Sequence, residues 1–169
     1  IDSLMIIGTN ERNPMIFGPY RLNLSTGEMT MLCENPGDIQ GWQTDHDGKL
    51  CVAYAIVDGV NTQIRYRETE VEPFRPVLTT NFKEGVSFAT FTPDNKLVYA
   101  ITNLGRDKSA LVLMDPATCE ELEQLYTNDK YDLRGIWFSD SQKKLQGVSY
   151  EGHKGVRRHF FDKATGEMF

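Results

Sequence analysis

The sequence predicts an all-β fold made of repeated four-stranded antiparallel sheets, on three observations. One turn block recurs at a fixed step, a second block repeats at the same step, and the segments between them have strand length and apolar faces. The first block reads Thr44-Asp45-His46-Asp47-Gly48-Lys49-Leu50, then Phe91-Thr92-Pro93-Asp94-Asn95-Lys96-Leu97, then Phe138-Ser139-Asp140-Ser141-Gln142-Lys143-Lys144-Leu145. Its copies begin at 44, 91 and 138, and their lysines fall at 49, 96 and 143, a step of 47 each time. The second block, Asp115-Pro116-Ala117-Thr118-Cys119-Glu120, returns 47 residues later as Asp162-Lys163-Ala164-Thr165-Gly166-Glu167. A further copy, Asn23-Leu24-Ser25-Thr26-Gly27-Glu28, lies about two steps earlier, and the copy expected between them, near Arg67-Glu68-Thr69-Glu70, has decayed. Two independent landmarks sharing one period mark a repeat architecture.

The elements follow in order. Leu4-Met5-Ile6-Ile7 reads as a strand. Asp-Gly and Asp-Asn mark tight hairpins because both residue types tolerate positive φ. After the first hairpin, Lys49 to Val57 places Leu50, Val52, Tyr54 and Ile56 on one face and Cys51, Ala53, Ala55 and Val57 on the other. A strand apolar on both faces is covered on both sides. Lys96 to Ile101 repeats the pattern, Leu111 to Met114 and Arg158 to Phe161 read as third strands, and Glu120 to Thr127 as a more polar fourth. Such units are β-propeller blades, small sheets stacked face to face. The predicted organisation is a partial propeller of about 3.5–4 blades: a half blade over 1–35, blades over 36–82 and 83–129, and a last blade from 130 that stops inside its final strand at 169. A chain that opens on Ile1 and enters a strand almost at once reads as a piece of something longer.

Composition narrows the function classes. The 169 residues are 40% hydrophobic and 25% charged, globular proportions rather than disordered ones. A net charge of −6 without a basic stripe argues against a nucleic-acid partner. No apolar run approaches the ~20 residues that span a bilayer, so no membrane role is expected. Cys33, Cys51 and Cys119 are odd in number and far apart, which indicates neither a zinc site nor a disulfide framework.

The hairpin block resembles the W-S-P-D-G-K-x-L signature of TolB-like blades and of prolyl oligopeptidase (S9) family propellers, Phe91 to Leu97 keeping it best. The WD dipeptide and the kelch double glycine are both missing. Asp132-Leu133-Arg134-Gly135-Ile136-Trp137-Phe138, Leu145-Gln146-Gly147-Val148-Ser149-Tyr150 and His159-Phe160-Phe161-Asp162 are similar to the propeller of bacterial acylaminoacyl-peptidase-like S9 enzymes. The resemblance implies a propeller that gates short peptides for a C-terminal α/β-hydrolase domain, its partner in the parent protein. No cofactor is implied, and the compartment stays open between cytoplasm and periplasm.

The residues themselves offer no complete catalytic machinery. Gly85-Val86-Ser87-Phe88-Ala89 lacks the second glycine of G-x-S-x-G, and Gly147-Val148-Ser149-Tyr150-Glu151-Gly152 has it one residue late. His46, His153 and His159 have no H-x-H or H-x-x-x-H spacing, so no metal site is expected. Asp47 and Asp94 lack the further oxygen ligands of a calcium loop and read as turn formers. Trp42, Phe88 and Trp137 fall on the strands expected innermost, where they line a central channel or pack between blades. Arg134, Arg157 and Arg158 are candidates for contacting a peptide carboxylate, against a solvated or salt-bridged role.

Three functions are therefore expected in order: the gating propeller of a serine peptidase; a non-enzymatic TolB-like protein-binding platform; and a quinoprotein propeller. The last ranks lowest because that family's tryptophan is replaced by Phe169. A partial propeller leaves blade flanks uncovered, so a homodimer through those faces is also expected.

Overall fold

The structure, a computed structural model, describes residues 3–162 and residue 166. These residues form fourteen strands in four antiparallel sheets, as the all-β prediction requires. The chain divides into two compact units, Ile1–Thr79 and Thr80–Phe169.

The first unit holds a three-stranded sheet ordered β1-β2-β3, from β1 (Leu4–Thr9), β2 (Gly18–Asn23) and β3 (Met29–Met31). Beside it in sequence is a four-stranded meander, β4 (Ile39–Thr44), β5 (Leu50–Val57), β6 (Asn61–Tyr66) and β7 (Arg75–Thr80). The second unit repeats the meander with β8 (Val86–Phe91), β9 (Val98–Thr102), β10 (Ala110–Met114) and β11 (Glu121–Thr127). Its other sheet is β12 (Leu133–Ser139), β13 (Lys144–Gly152) and β14 (Gly155–Phe160). The position expected for a fourth strand after β14 falls outside the described residues, as does most of the turn copy from Asp162 to Glu167.

Burial follows the two-faced pattern. Leu50, Cys51, Val52 and Ala53 in β5 are each no more than 1% exposed, which only a strand covered on both faces achieves. In the first unit Ile39, Ala53 and Ala55 form a buried cluster with Trp42 and Phe74 against it. In the second, Leu111 from one sheet packs on Leu133 and Val148 from the other, with Tyr99, Ile101 and Ile136 alongside.

The turns show why the block repeats. Asp45 accepts the Asp47 and Lys49 amides on one carboxylate oxygen, at 3.0 and 2.9 Å, and Gly48 takes a φ of 77°. In the next copy Thr92 donates to Asp94 at 2.7 Å and Asn95 adopts φ 59°. Each lysine amide is thus held by the turn, so the strands begin just after it, at Leu50 and Val98 rather than at Lys49 and Lys96. The third copy puts the left-handed residue at Lys143, φ 50°. An L-residue with a long side chain pays about 1–2 kcal/mol there, and Lys143 is exposed. Lys143→Gly is therefore expected to raise the unfolding free energy by about 0.5–1 kcal/mol, after allowing for glycine's greater unfolded-state freedom. Urea titration checks it; a loss of stability would show that the strain is relieved elsewhere.

The second block is equally regular. Gly27 donates to Asn23 O at 2.8 Å and Cys119 to Asp115 O at 2.8 Å, while the Asn23 and Asp115 side chains each accept an amide two residues on. Gly27 and Cys119 share a left-handed φ, 74° and 57°.

Candidate functional site

The decayed turn copy is where the first unit departs most from the repeat. Arg67 follows β6 and is 4% exposed. Its Nε donates to Leu50 O at 2.8 Å, its Nη1 to Glu70 O at 2.9 Å, and its guanidinium lies 4.4 Å from the centre of the Phe74 ring. Nη2 is buried with no hydrogen-bond acceptor among the described residues. Glu70 in turn accepts Arg21 Nη2 on both oxygens, at 2.8 and 3.1 Å, and the Leu50 amide at 2.9 Å. The decayed turn thus ties β2 to β5 through Glu70.

Burial opposes ionisation of Glu70, but the Arg21 hydrogen bond, the Leu50 amide and the charges of Arg21 and Arg67 outweigh it and hold its carboxyl below the usual range. A carboxylate with a depressed folded-state pKa contributes stability above its unfolded-state pKa of about 4.3 and loses it as pH falls through the folded value. Acid unfolding of the chain is expected to have a component set by this carboxylate. Glu70→Gln, followed by urea titration between neutral pH and about pH 3, is expected to flatten that component; an unchanged pH slope would refute the assignment.

A cavity of about 470 Å³ lies against this network, lined among others by Cys33, Ile39, Arg65, Arg67 and Phe74. Arg65 is committed to both oxygens of Asp38, through Nη1 at 3.2 Å and Nη2 at 2.5 Å. Burial pushes the Cys33 thiol up, against the opposing pull of Arg67 and Trp42. Burial, with the nearby Asp45 and Asp115 carboxylates, raises Cys51 to about 12 and Cys119 to about 11. The cavity thus presents no ready thiolate nucleophile.

The residues singled out in the sequence are distributed over both units. Trp42 stands opposite Ala53, and among the described residues no acceptor oxygen meets its buried Nε1. Phe88 stands opposite Ala100 and is 5% exposed, its ring enclosed. Trp137 stands opposite Gly147, with Phe160 edge-on at 5.9 Å and the Arg158 guanidinium stacked at 4.3 Å over its ring. Arg158 and Trp137 are therefore one assembly. Arg134 pairs with Glu151 at 3.0 Å, both side chains more than half exposed, a contact of small energetic weight. Arg157 is exposed and lies opposite Tyr150.

The serines sit inside strands. Ser87 is in β8, and Ser149 Oγ in β13 donates to Gly135 O at 3.5 Å. Neither strand turns into a helix; β8 leads to β9 and β13 to β14. His159 stacks on Tyr126 at 4.6 Å, with Phe161 edge-on at 5.6 Å. Among the described residues no three His, Cys, Asp or Glu side chains gather closely enough to hold a metal ion.

Sequence reading did not identify the Arg21–Glu70–Arg67 network. Its signal was the decay itself, since loss of a turn consensus frees those positions for another use.

No family model matches the chain. It is 27% identical over 154 residues to dipeptidyl aminopeptidase BIII of Pseudoxanthomonas mexicana, a match covering 87% of this chain and 21% of that protein. Among solved structures it resembles TolB from Acinetobacter baumannii, with a TM-score of 0.63 at 15% identity, over 94% of this chain and 40% of that one. It also resembles a prolyl endopeptidase, with a TM-score of 0.59 at 18% identity, over 94% and 24% respectively. The chain spans about a fifth of the curated relative's length. Taken with the repeated sheets, these likenesses make the chain a run of β-propeller blades, similar in sequence to part of a dipeptidyl aminopeptidase.

Proposed function

We propose that these blades are the substrate-gating part of an S9-type serine peptidase acting on short peptides, with a C-terminal α/β-hydrolase domain elsewhere in the parent protein. The carrying observation is the match to a dipeptidyl aminopeptidase that falls within 21% of that protein's length. A propeller without a nucleophile contributes by restricting entry and positioning substrate, while acyl transfer belongs to the domain bearing the Ser-His-Asp machinery. On this reading the exposed Arg134 and Arg157, and Arg158 stacked on Trp137, offer guanidinium groups to a peptide carboxylate. Trp42 and Trp137, each half-buried, are the aromatics available to line a passage.

The test is a peptidase assay on the full parent protein, with short chromogenic peptides and an acyl-amino-acid substrate, beside the 169-residue chain. Turnover by the parent that a serine-directed reagent blocks, with none from the chain, supports the reading. Silence from both favours a protein-binding platform, the second reading, which the TolB-like fold supports. Homodimerisation through uncovered blade faces belongs to the same proposal. A strictly monomeric species in sedimentation at roughly tens of micromolar would count against it.

A further inference from the structure

Two buried donors in the first unit meet no acceptor oxygen among the described residues, Nη2 of Arg67 and Nε1 of Trp42. Buried donors left in this state are costly and rare in folded proteins. Both are neighbours of one side chain, Cys33.

Cys33 follows β3 and is half-buried. It lines the same 470 Å³ cavity as Arg67, and also a second cavity of about 250 Å³ beside Tyr20 and Met31. The Arg67 charge and the Trp42 indole both act on its sulfur. A thiol sulfur is a weak acceptor, so neither donor is satisfied by it. Glu70 is the nearby like charge that opposes an anion here, and it acts on the sulfur less strongly than Arg67 does. Its oxygens are already engaged by Arg21 and the Leu50 amide. Both donor atoms are closed to solvent, so an acceptor on a diffusing ligand cannot meet them without rearrangement. An oxygen bonded to the Cys33 sulfur starts out as their neighbour.

We propose that Cys33 is a site of oxidation to the sulfinate by hydroperoxides, one sulfinate oxygen accepting from Arg67 Nη2 and the other from Trp42 Nε1. First the thiolate sulfur attacks a hydroperoxide oxygen and the O–O bond breaks. The leaving oxygen takes up the thiol proton, giving a sulfenic acid and, from hydrogen peroxide, water. The sulfenate then attacks a second hydroperoxide in the same way. In sum one thiol and two hydrogen peroxide molecules give one sulfinate, two waters and one proton, the sulfur losing four electrons.

Burial keeps the thiol protonated, so the first step is slow. The two donors favour the anionic sulfenate and sulfinate, which carries oxidation past its reversible stage. The product ties the segment after β3 to β4 and to the turn after β6, within the first unit. The proposal does not depend on the peptidase reading. Cys51 and Cys119 are the internal comparison, only 1% and 9% exposed and with thiols at about 12 and about 11.

The test treats the 169-residue chain with hydrogen peroxide, then with excess thiol reductant, and maps it by tandem mass spectrometry. A gain of two oxygens on Cys33 that the reductant does not reverse is expected, at about tenfold the level on Cys51 or Cys119. Fragment ions must place it on Cys33, because Met29 and Met31 share its tryptic peptide and take up oxygen themselves. The Trp42 indole N–H resonance should move downfield in the oxidised chain, and the urea midpoint should rise by about 0.5 M. Trp42→Phe removes one donor and should lower the sulfinate yield about fivefold. Without any oxidant, Cys33→Asp puts a carboxylate near the same place and should unfold at higher urea than Cys33→Asn. Oxidation that stops at a reducible state, equal levels on the three cysteines, an unmoved indole resonance, or no advantage of Cys33→Asp over Cys33→Asn would overturn the proposal.

Discussion

Gly147→Ala is expected to lower the unfolding free energy by about 3 kcal/mol, the upper part of the range for overpacking a closely packed site. A Cβ at Gly147 would lie 2.3 Å from His159 O and 3.2 Å from Phe160 Cα. Both are backbone atoms of the neighbouring strand, so no rotamer change relieves the contact, and β13 and β14 must separate instead. Separation would also disturb the Trp137–Phe160 pair that straddles this glycine, and with it the Arg158 stack. Gly135→Ala is the internal comparison, because its Cβ would meet only Ser149 Oγ, at 3.7 Å. That change is expected to cost less than about 1 kcal/mol. Urea unfolding of both variants decides the matter; equal losses would show that the close approach is absorbed by small backbone shifts.

Arg67→Met is expected to cost about 3 kcal/mol, although methionine fills much of the same volume. The substitution strips donors from Leu50 O and Glu70 O at once, and the Leu50 carbonyl belongs to a residue only 1% exposed. It also removes the cation over Phe74 and one of the charges that keep Glu70 ionised. Arg67→Lys separates geometry from charge: an ammonium keeps the charge but cannot reproduce the fork that reaches two carbonyls. Lysine should therefore recover about half of the loss or less. Full recovery would mean that charge alone matters, and stability unchanged by either substitution would remove the network from the account of the first unit.

The repeat was legible in the sequence because its landmarks are local. A turn residue such as Asp45, Thr92 or Asp115 bonds amides two to five positions away, so its chemistry recurs wherever the same short string does. The strands between were legible for a related reason: a meander joins neighbours in order, and apolar residues on both faces signal coverage on both sides. Asp47 stands in the turn before the left-handed Gly48, as the Asp-Gly pattern implies, while Asp45, which spacing does not single out, accepts the Asp47 and Lys49 amides.

What tertiary structure alone decided is the use of the long polar side chains. Arg67 meets Leu50 at a separation of 17 residues and Arg21 meets Glu70 at 49, distances at which spacing carries no information about partners. Arg134 and Arg158 look alike in sequence, yet one pairs with Glu151 near solvent while the other lies over Trp137. Which sheet sides stay unpaired is decided at the same level. Leu4 to Ile7 reads as a strand, and only the ladder shows that among the described residues it pairs with β2 alone. Short-range hydrogen bonding and alternation are written residue by residue, whereas side-chain pairing between strands depends on how the finished sheets stack.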